Sequence, residues 1–573
     1  MRSSSSPRLD KVVATAYDVK EGLKWASADF STTLQFTTLI PPKGKIIKHL
    51  WVQAVAMTDL QSATKLMAAP GNADPSEDSR VVLTLADGSR RLYFEGSGGY
   101  GSHFHTHPMN CRYGHIKHRW ADPSPCFSQD GNARIHHATD SIRIITEDRP
   151  LSTRTNLPGV ADEDCLRLNI FVPPQSSTSQ ISLQRHPVGV YIHGGFLQFG
   201  HPHICNVDHL ITDIDEERYK VWVVPTYRLG VLGFLAGTKN IRGNFGLNDL
   251  WFCLQWIQKN IITFGGDPTE VCISGTSAGA YACHQLMHRL SRSSASSTPL
   301  FREARLYSNA IVNQPQDMQR SRQNILRIFH HLGGQGHDDE DIEALLRGIS
   351  TGDLLAAVEH LQLVFRPTTD DVIIQEQMTW QRSGRLGHQL YERGFRRLVL
   401  GEVRDEHSFY SILHRVEDQS QLVEVLRRYY PDDVVRVLME NIPRKVMEDV
   451  STALGWAMSH AQVFVPIRML TRDLWDTPVQ VLRYRIEWSP NRSDIIGHGS
   501  DLSLWTCTHS VRKRENQEVC RNWHASVRQK PKEIEDVLLL DHTGHIQWTR
   551  DERWKDCLSL SKDIEKRHKI SRL

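Results

Sequence analysis

The sequence predicts an α/β fold in which a central, mostly parallel sheet is covered by helices on both faces. Two observations carry this prediction. Short runs rich in β-branched residues recur along the chain, and glycine turns and helical patterns of apolar residues follow them. Strands that alternate with helices form parallel sheets, and runs that are apolar at nearly every position are typical of strands buried on both faces.

The strand-like runs follow one another from residue 165 onward. The clearest are VGVYI, VWVVPTY, VCISG, RLVLG and VQVLRYRI (188–192, 221–227, 271–275, 397–401 and 479–486). Between the second and third runs, apolar residues recur at helical spacing, at Leu250, Leu254, Ile257 and Ile261. Residues 265–268, with two glycines and a proline, are expected to end that helix. Ligands of such sheets bind beyond the carboxyl ends of the strands, where the motifs described below also lie.

The chain is interpreted as one large domain behind an extension. Residues 1–80 form a divergent N-terminal extension that can be partly disordered, because apolar runs there are short and mixed with Pro, Gly and Ser. Residues 81–573 form the α/β domain. Its first segment, VVLTLADGSRRLYF, predicts two short strands joined at an Asp87-Gly88 turn.

The charge balance and the lack of certain segments and motifs argue against several classes of function. Lys and Arg number 68 against 66 Asp and Glu, so the net charge of +2 gives no reason to expect nucleic acid as a partner. No apolar stretch approaches the roughly 18 residues of a membrane span. The first residues lack the apolar segment of a secretory signal, which favours a cytoplasmic protein. Neither a P-loop nor a dinucleotide fingerprint is present, so no cofactor is expected. The oligomeric state is left open.

The central motif is Gly275-Thr276-Ser277-Ala278-Gly279, of the form G-x-S-x-G. The pattern alone is weak, but here it follows a strand run and opens a helix, which is the setting of a nucleophile elbow. That turn is so tight that its flanking positions must be small, as Gly275, Ala278 and Gly279 are. A glycine-bearing turn with a capping serine is the alternative interpretation.

A second motif, His193-Gly194-Gly195-Phe196, follows an earlier strand run. Glycines in such a loop let backbone N–H groups approach a carbonyl oxygen, as in the oxyanion loop of hydrolases. A serine nucleophile also needs a base, and the base needs an orienting acid. Together the two motifs indicate nucleophilic hydrolysis, whereas either one alone is compatible with an ordinary glycine-rich turn.

Five stretches form a specific combined signature: EDCLRLNIFVPP, VYIHGGFLQFG, YRLGVLGFL, GNFGLNDLWFCLQWIQKNIITFGGDP and ISGTSAGA (163–174, 190–200, 227–235, 243–268 and 273–280). They resemble the type B carboxylesterases, the cholinesterase/lipase family of α/β-hydrolases, and particularly its fungal members. Weaker similarity extends over residues 110–570. The resemblance implies an α/β-hydrolase fold and the hydrolysis of small-molecule carboxylic esters without a cofactor.

The resemblance also implies a catalytic triad in the order Ser, Glu, His. Ser277 is the nucleophile. The acid is Glu406, in the segment EVRDEHSFY, with Asp405 as the other candidate. The base is His498, in the segment IIGHGSDLSLW.

The oxyanion hole implied by the resemblance comprises Gly194, Gly195, Phe196 and Ala278, with the N–H groups of the last three as donors. Phe196 departs from the small residue that is usual at its position, so its benzyl group is expected to narrow the acyl site. Thr276 departs from the glutamate that commonly precedes the nucleophile.

Two structural pairs follow from the same resemblance. Cys126 and Cys165 occupy the positions of the first disulfide of the family, with a reduced pair as the alternative. Arg228 and Asp249 match a buried ion pair that belongs to the scaffold and not to catalysis.

Three other interpretations compete with this one. His103, His105 and His107 form an HxH pattern, which suits a metal, but no further ligands can be assigned and no metal site is expected.

Within the resemblance, an acyltransferase with the same triad and a catalytically decayed binding module are the alternatives. The segment WTCTHSVRKREN after His498 departs from the family pattern.

Overall fold

The computed structural model describes most of the chain from residue 109 onward. The described residues are 79–84, 90–95, 109–125, 163–172, 185–200, 220–294, 298–311, 315–375, 383–490, 495–505 and 514–570. Cys126, the HxH histidines and nearly all of the N-terminal extension lie outside these residues. The predictions made for them remain predictions.

The described residues contain twelve strands. In chain order they are β1 (Ser79–Thr84), β2 (Arg90–Glu95), β3 (Met109–Arg112), β4 (Arg167–Phe171), β5 (His186–Ile192), β6 (Val221–Pro225), β7 (Gly266–Thr276), β8 (Glu303–Tyr307), β9 (Arg397–Val403), β10 (Gln480–Ile486), β11 (Asp536–Leu540) and β12 (Ile546–Arg550). β1 and β2 form a separate antiparallel pair, as the sequence predicted.

The other strands form one ten-stranded sheet in the order β12-β11-β10-β9-β8-β7-β5-β6-β4-β3. Every neighbouring pair from β6 to β11 is parallel. The pairs at the two ends, β11 with β12 and β3 with β4 with β6, are antiparallel. The predicted mostly parallel sheet is therefore confirmed.

Successive side chains of these strands enter two different hydrophobic cores. On β5, Val190 and Ile192 belong to the larger core, whereas Tyr191 belongs to the smaller one. Because side chains of a strand point alternately to opposite faces, the two cores lie on opposite faces of the sheet. Trp505 and Trp523, from two C-terminal helices, close the smaller core. Helices thus cover both faces.

The helices are α1 (Gly230–Phe234), α2 (Phe245–Asn260), α3 (Ala278–Ser291), α4 (Met318–His331), α5 (Asp339–Gly348), α6 (Thr351–His360), α7 (Arg385–Glu392), α8 (Glu406–Leu413), α9 (Gln419–Tyr429), α10 (Asp432–Asn441), α11 (Arg444–Met447), α12 (Val450–Ser459), α13 (Val465–Leu474), α14 (Leu502–Trp505), α15 (Arg514–Ser526) and α16 (Trp554–Ile570). A π-helical turn, His460–Phe464, joins α12 to α13. α2 is the predicted helix, and Leu250, Leu254 and Ile257 form its buried face.

The strand that leads to the candidate nucleophile begins earlier than predicted, at Gly266 and not at Val271. The helical segment does end before residues 265–268, as predicted, but Gly266, Asp267 and Pro268 already belong to the strand. α2 ends at Asn260, and a 3₁₀ turn separates it from β7. The register between β5 and β7 shifts beside Asp267 and Pro268. Proline lacks an N–H group, so it fits a strand where the ladder is interrupted.

The predicted scaffold pair is present. Nη2 of Arg228 donates to Oδ1 of Asp249 at 2.6 Å, and Nε donates to Oδ2 at 2.8 Å. The two side chains are 3% and 0% exposed. Such a bidentate geometry satisfies both charges away from water. The pair ties the segment before α1 to α2.

Candidate active site

Loops after four parallel strands bring the predicted site residues to one edge of the sheet. The strands β5, β7, β9 and β10 run parallel, so their carboxyl ends share that edge. His193 follows β5 and Ser277 follows β7. Glu406 opens the helix after β9, and His498 lies in the loop after β10.

Ser277 occupies the turn between β7 and α3. With φ at 57° and ψ at −123°, its backbone has a conformation that residues other than glycine rarely adopt. Its N–H donates to the carbonyl oxygen of Tyr307 at 2.8 Å, which holds the turn. A Cβ at Gly275 would collide with the backbone of Gly279, and one at Gly279 would collide with the carbonyl oxygen of Ile192. The small residues of the motif are therefore required by the elbow.

His498 is fixed by a carboxylate and an aromatic ring. Its Nδ1 lies 2.5 Å from Oε2 of Glu406, and the two side chains are 5% and 0% exposed. The other oxygen of Glu406 accepts the N–H of Val403 at 3.1 Å. Phe409 stacks on the imidazole, with centroids 4.9 Å apart. When Nδ1 carries the proton toward Glu406, the lone pair of a neutral imidazole lies on Nε2.

Asp405, the other candidate acid, has a different set of contacts. Its carboxylate accepts from Arg404 at 2.8 Å and from the N–H of Ile496 at 2.9 Å. Its own N–H donates to the carbonyl oxygen of Ile496 at 2.9 Å. Asp405 thus holds the segment that carries His498, while Glu406 contacts the imidazole.

The glycine-rich loop lies directly against the serine. A Cβ at Gly194 would lie 2.7 Å from the carbonyl oxygen of Thr276 and 3.3 Å from Cβ of Ser277. Gly195 and Phe196 have φ values of 110° and 56°, so the loop turns sharply beside the nucleophile. A positive φ is strained for phenylalanine, and this explains why a small residue is usual at the position of Phe196.

Two further observations concern groups beside the serine, namely Ala278 and the loop that carries His498. Ala278 is the first residue of α3, so its N–H has no acceptor within the helix. A Cβ at Gly499 would lie 3.5 Å from Cγ2 of Thr276, which places the histidine loop against the residue before the nucleophile. Within the described residues, Nε2 of His498 is buried and makes no hydrogen bond. Bonds between base and nucleophile often tighten only when substrate is bound.

A cleft with an empty volume of about 400 Å³, partly open to solvent, adjoins the serine. It is lined by Phe196, Leu197, Ser277, Ala278, Tyr281, Asn309, Val364, Arg366, Tyr429 and Gln462. The ring of Phe196 lies 5.9 Å from that of Tyr429 and 6.1 Å from that of Phe409, which in turn stacks on His498. The benzyl group of Phe196 is therefore one wall of the cleft.

His193, the first residue of the glycine-rich loop motif, is buried. Its Nδ1 lies 2.8 Å from the carbonyl oxygen of Gly194, and its ring stacks on Tyr227 with centroids 4.8 Å apart. Burial lowers the pKa of His193 to about 4. The ring is thus neutral at pH 7, and it shapes the loop.

Three further polar residues lie at the site, and their roles were not predicted from the sequence. Asn309 and Arg366 line the cleft. Asn309 follows β8, so its place after a strand of the sheet was an available signal. Arg366 lies in a loop without a motif. Asp501 is 0% exposed, and its carboxylate accepts from Tyr484 at 2.6 Å. Burial raises the pKa of Asp501 to about 6, and the charge of Glu406 adds to that rise.

The remaining predictions concern a disulfide, a metal and a membrane span. Cys165 is 1% exposed, but Cys126 is outside the described residues, so the disulfide remains a prediction. In the described ranges, no three His, Cys, Asp or Glu side chains are grouped to hold a metal ion. None of the helices described is both long and apolar enough to cross a bilayer.

The sequence of the chain matches that of a known protein family. The model of the carboxylesterase family matches residues 115–518. That stretch contains all the residues predicted for the triad and the oxyanion hole.

Relatives occur in fungi and bacteria. An esterase/lipase of Schizosaccharomyces pombe is 29% identical over 446 residues, which cover 70% of this chain and 81% of the relative. A carboxylic ester hydrolase of Gibberella moniliformis is 31% identical over 320 residues, covering 53% of this chain and 57% of the relative. The phenmedipham hydrolase of Pseudarthrobacter oxydans is 35% identical over 225 residues, covering 37% and 41%.

Proposed function

Because the chain belongs to the carboxylesterase family, we propose that it hydrolyses carboxylic esters through Ser277, His498 and Glu406 and a covalent acyl-enzyme. The observation that carries this proposal is the 2.5 Å contact between Nδ1 of His498 and Oε2 of Glu406. Since that carboxylate occupies Nδ1, the other ring nitrogen is left to act as the base.

In the first half-reaction, Oγ of Ser277 attacks the carbonyl carbon of the ester. Nε2 of His498 takes the hydroxyl proton and then gives it to the departing alcohol. Glu406 holds the imidazole in the required tautomer and stabilises the imidazolium that forms. The strained backbone at Ser277 presents its Oγ at the tip of the elbow.

The negative charge on the carbonyl oxygen is stabilised by backbone N–H groups of Gly195, Phe196 and Ala278, with Gly194 providing the close approach of the loop. Pre-oriented donors of this kind are worth about 3–4 kcal/mol each in related chemistry. In the second half-reaction, water replaces the alcohol, His498 activates it, and the acid is released.

Two other outcomes use the same scaffold. If an alcohol intercepts the acyl-enzyme faster than water does, the protein is an acyltransferase. If the serine is not activated, the protein is a binding module. The contact between His498 and Glu406 favours catalysis over binding alone, since a decayed site has no need of an oriented imidazole.

The test is covalent labelling with a fluorophosphonate probe, which reacts with activated serines. Wild type should be labelled, Ser277→Ala should not, and Ser274→Ala should keep the label. Ser274 is a matched control because it lies on the same strand, 2% exposed, and its hydroxyl donates only to the backbone of Val190. No label on folded wild type would overturn the proposal. A new ester formed when alcohol is added would support acyl transfer.

A further inference from the structure

Arg366 is a buried cation in the candidate active-site cleft, and no carboxylate among the described residues pairs with it. Its side chain is 6% exposed and lines the same cleft as Ser277. Neither Nε nor Nη1 has a hydrogen-bond partner among the described residues. By contrast, the buried Arg228 and Arg468 each form hydrogen-bonded ion pairs with carboxylates. Burying a guanidinium without a partner has a high cost in desolvation free energy, so Arg366 destabilises the fold at this position.

The groups around Arg366 do not neutralise it. Burial lowers its pKa to about 10, and the nearby cation Arg320 acts in the same direction. The opposing contributions come from the phenols of Tyr281, Tyr430 and Tyr429, not from a carboxylate. With a pKa of about 10, the guanidinium still carries its charge at pH 7.

The segment that carries Arg366 is anchored on both sides. Before it, the N–H of Phe365 donates to Oε1 of Gln198 at 3.2 Å, and Nε2 of Gln198 also donates to the carbonyl oxygen of Phe196 at 3.1 Å. After it, Thr368 and the side chain of Asn244 exchange two hydrogen bonds of 2.9 and 2.7 Å. The position of Arg366 is thus tied to the oxyanion loop itself.

A second unpartnered group lies in the same cleft. Asn309 is 6% exposed, and its Oδ1 is buried without a hydrogen-bond partner in the part of the chain described. The cleft therefore offers an acceptor and a cation close to the nucleophile, in a lining that also contains Phe196 and Tyr429. Buried polar groups left unpaired in a cleft are the groups by which a site recognises its ligand.

We propose that the preferred substrate is an ester that carries a carboxylate, which pairs with the guanidinium of Arg366 in the cleft. This inference rests on the proposed function, because it names the substrate class of the same site. A carboxylate is the natural occupant, since its two oxygens match the donor geometry of a guanidinium. Asn309 accepts a hydrogen bond from a hydroxyl or amide of the same substrate.

The test compares charged and neutral esters of matched length. Monomethyl adipate and methyl hexanoate differ only by a carboxylate on the acyl side, and 4-acetoxybutanoate and butyl acetate differ in the same way on the alcohol side. In one of the two pairs, we expect wild type to have a higher kcat/KM for the charged ester than for the neutral ester. Turnover is measured by the release of acid. Arg366→Met should lower that charged-to-neutral ratio by about 10- to 100-fold, the range expected for a hydrogen bond to a charged group. Arg366→Lys should retain part of the preference.

Arg327→Met is the matched control. Arg327 is an exposed arginine of α4 that does not line the cleft, and it should keep the wild-type ratio when replaced. An equal loss in both variants would mean that the net charge matters and not the place of Arg366, which would overturn the proposal. A second measurement needs no variant. Hexanoate should inhibit wild type competitively at lower concentration than hexanamide, and equal inhibition would also overturn it.

The two proposals fail in different ways. If wild type is labelled and hydrolyses neutral esters but shows no charge preference in either pair, the carboxylate inference is wrong and the serine mechanism stands. If wild type is neither labelled nor active on any of the esters, the proposed function is wrong. The carboxylate inference then falls with it.

Discussion

Replacing Phe196 with glycine should enlarge the cleft beside Ser277 and shift the preference toward longer acyl chains. The benzyl group forms one wall of that cleft. Octanoate has four more methylenes than butyrate, and at about 0.8 kcal/mol for each buried methylene, full burial would contribute roughly 3 kcal/mol. Because the cleft is partly open, we expect the octanoate-to-butyrate ratio of kcat/KM to rise by about tenfold, near half of that energy.

The assay uses 4-nitrophenyl butyrate and octanoate with wild type, Phe196→Gly, Phe196→Ala and Phe199→Ala. Phe199 is a matched control because its ring lies 6.2 Å from that of Phe196, yet it does not line the cleft. The backbone gives an internal check. Phe196 has a φ of 56°, so glycine should be more stable than alanine there by about 1 kcal/mol, measured by urea unfolding. An unchanged chain-length ratio in a folded Phe196→Gly enzyme would refute the role of the ring.

Three further results are expected. Glu406→Gln should lower kcat by about 10³- to 10⁴-fold while Asp405→Asn has a smaller effect, and equal losses in ester hydrolysis would contradict the assignment. The pKa of Asp501 is raised to about 6 in the folded state. Its carboxyl group therefore keeps its proton up to about pH 6 in the folded protein, whereas it loses the proton from about pH 4 in the unfolded chain. The stability contributed by this group is therefore present below pH 4 and lost as the pH rises through 6, and Asp501→Asn should flatten that dependence in thermal unfolding. Asp249→Asn should destabilise the fold by about 3–5 kcal/mol in urea, because it leaves Arg228 buried without its partner, and a loss below 1 kcal/mol would contradict this.

The parts of the fold that were predictable are those with a local cause. The strand runs and the helix Phe245–Asn260 follow from the spacing of apolar residues, which depends on nearby positions alone. The elbow at Ser277 is encoded in the small residues beside it, because anything larger would meet the backbone. The start of β7 was misplaced since Pro268 normally excludes a strand, and only the pairing with β5 produces the shift in register that admits it.

The parts of the site that were not predictable depend on distant segments. Arg366 has no motif, and its place in the cleft results from hydrogen bonds between its loop and Gln198 and Asn244, both more than a hundred residues earlier. The preference for Glu406 over Asp405 came from the family resemblance, since neighbouring residues alone do not decide between two adjacent carboxylates. In the structure, the first turn of α8 directs Glu406 toward His498.

The order of the central strands has a consequence for how the protein acquires activity. Glu406 and His498 are 92 residues apart in sequence, and their contact forms only when β9 and β10 pair across the helices inserted between them. Contacts between such distant segments have a high cost in loop-closure entropy and form slowly. Regain of esterase activity during refolding should therefore lag behind regain of helical circular dichroism, which makes turnover a reporter of the last step of assembly.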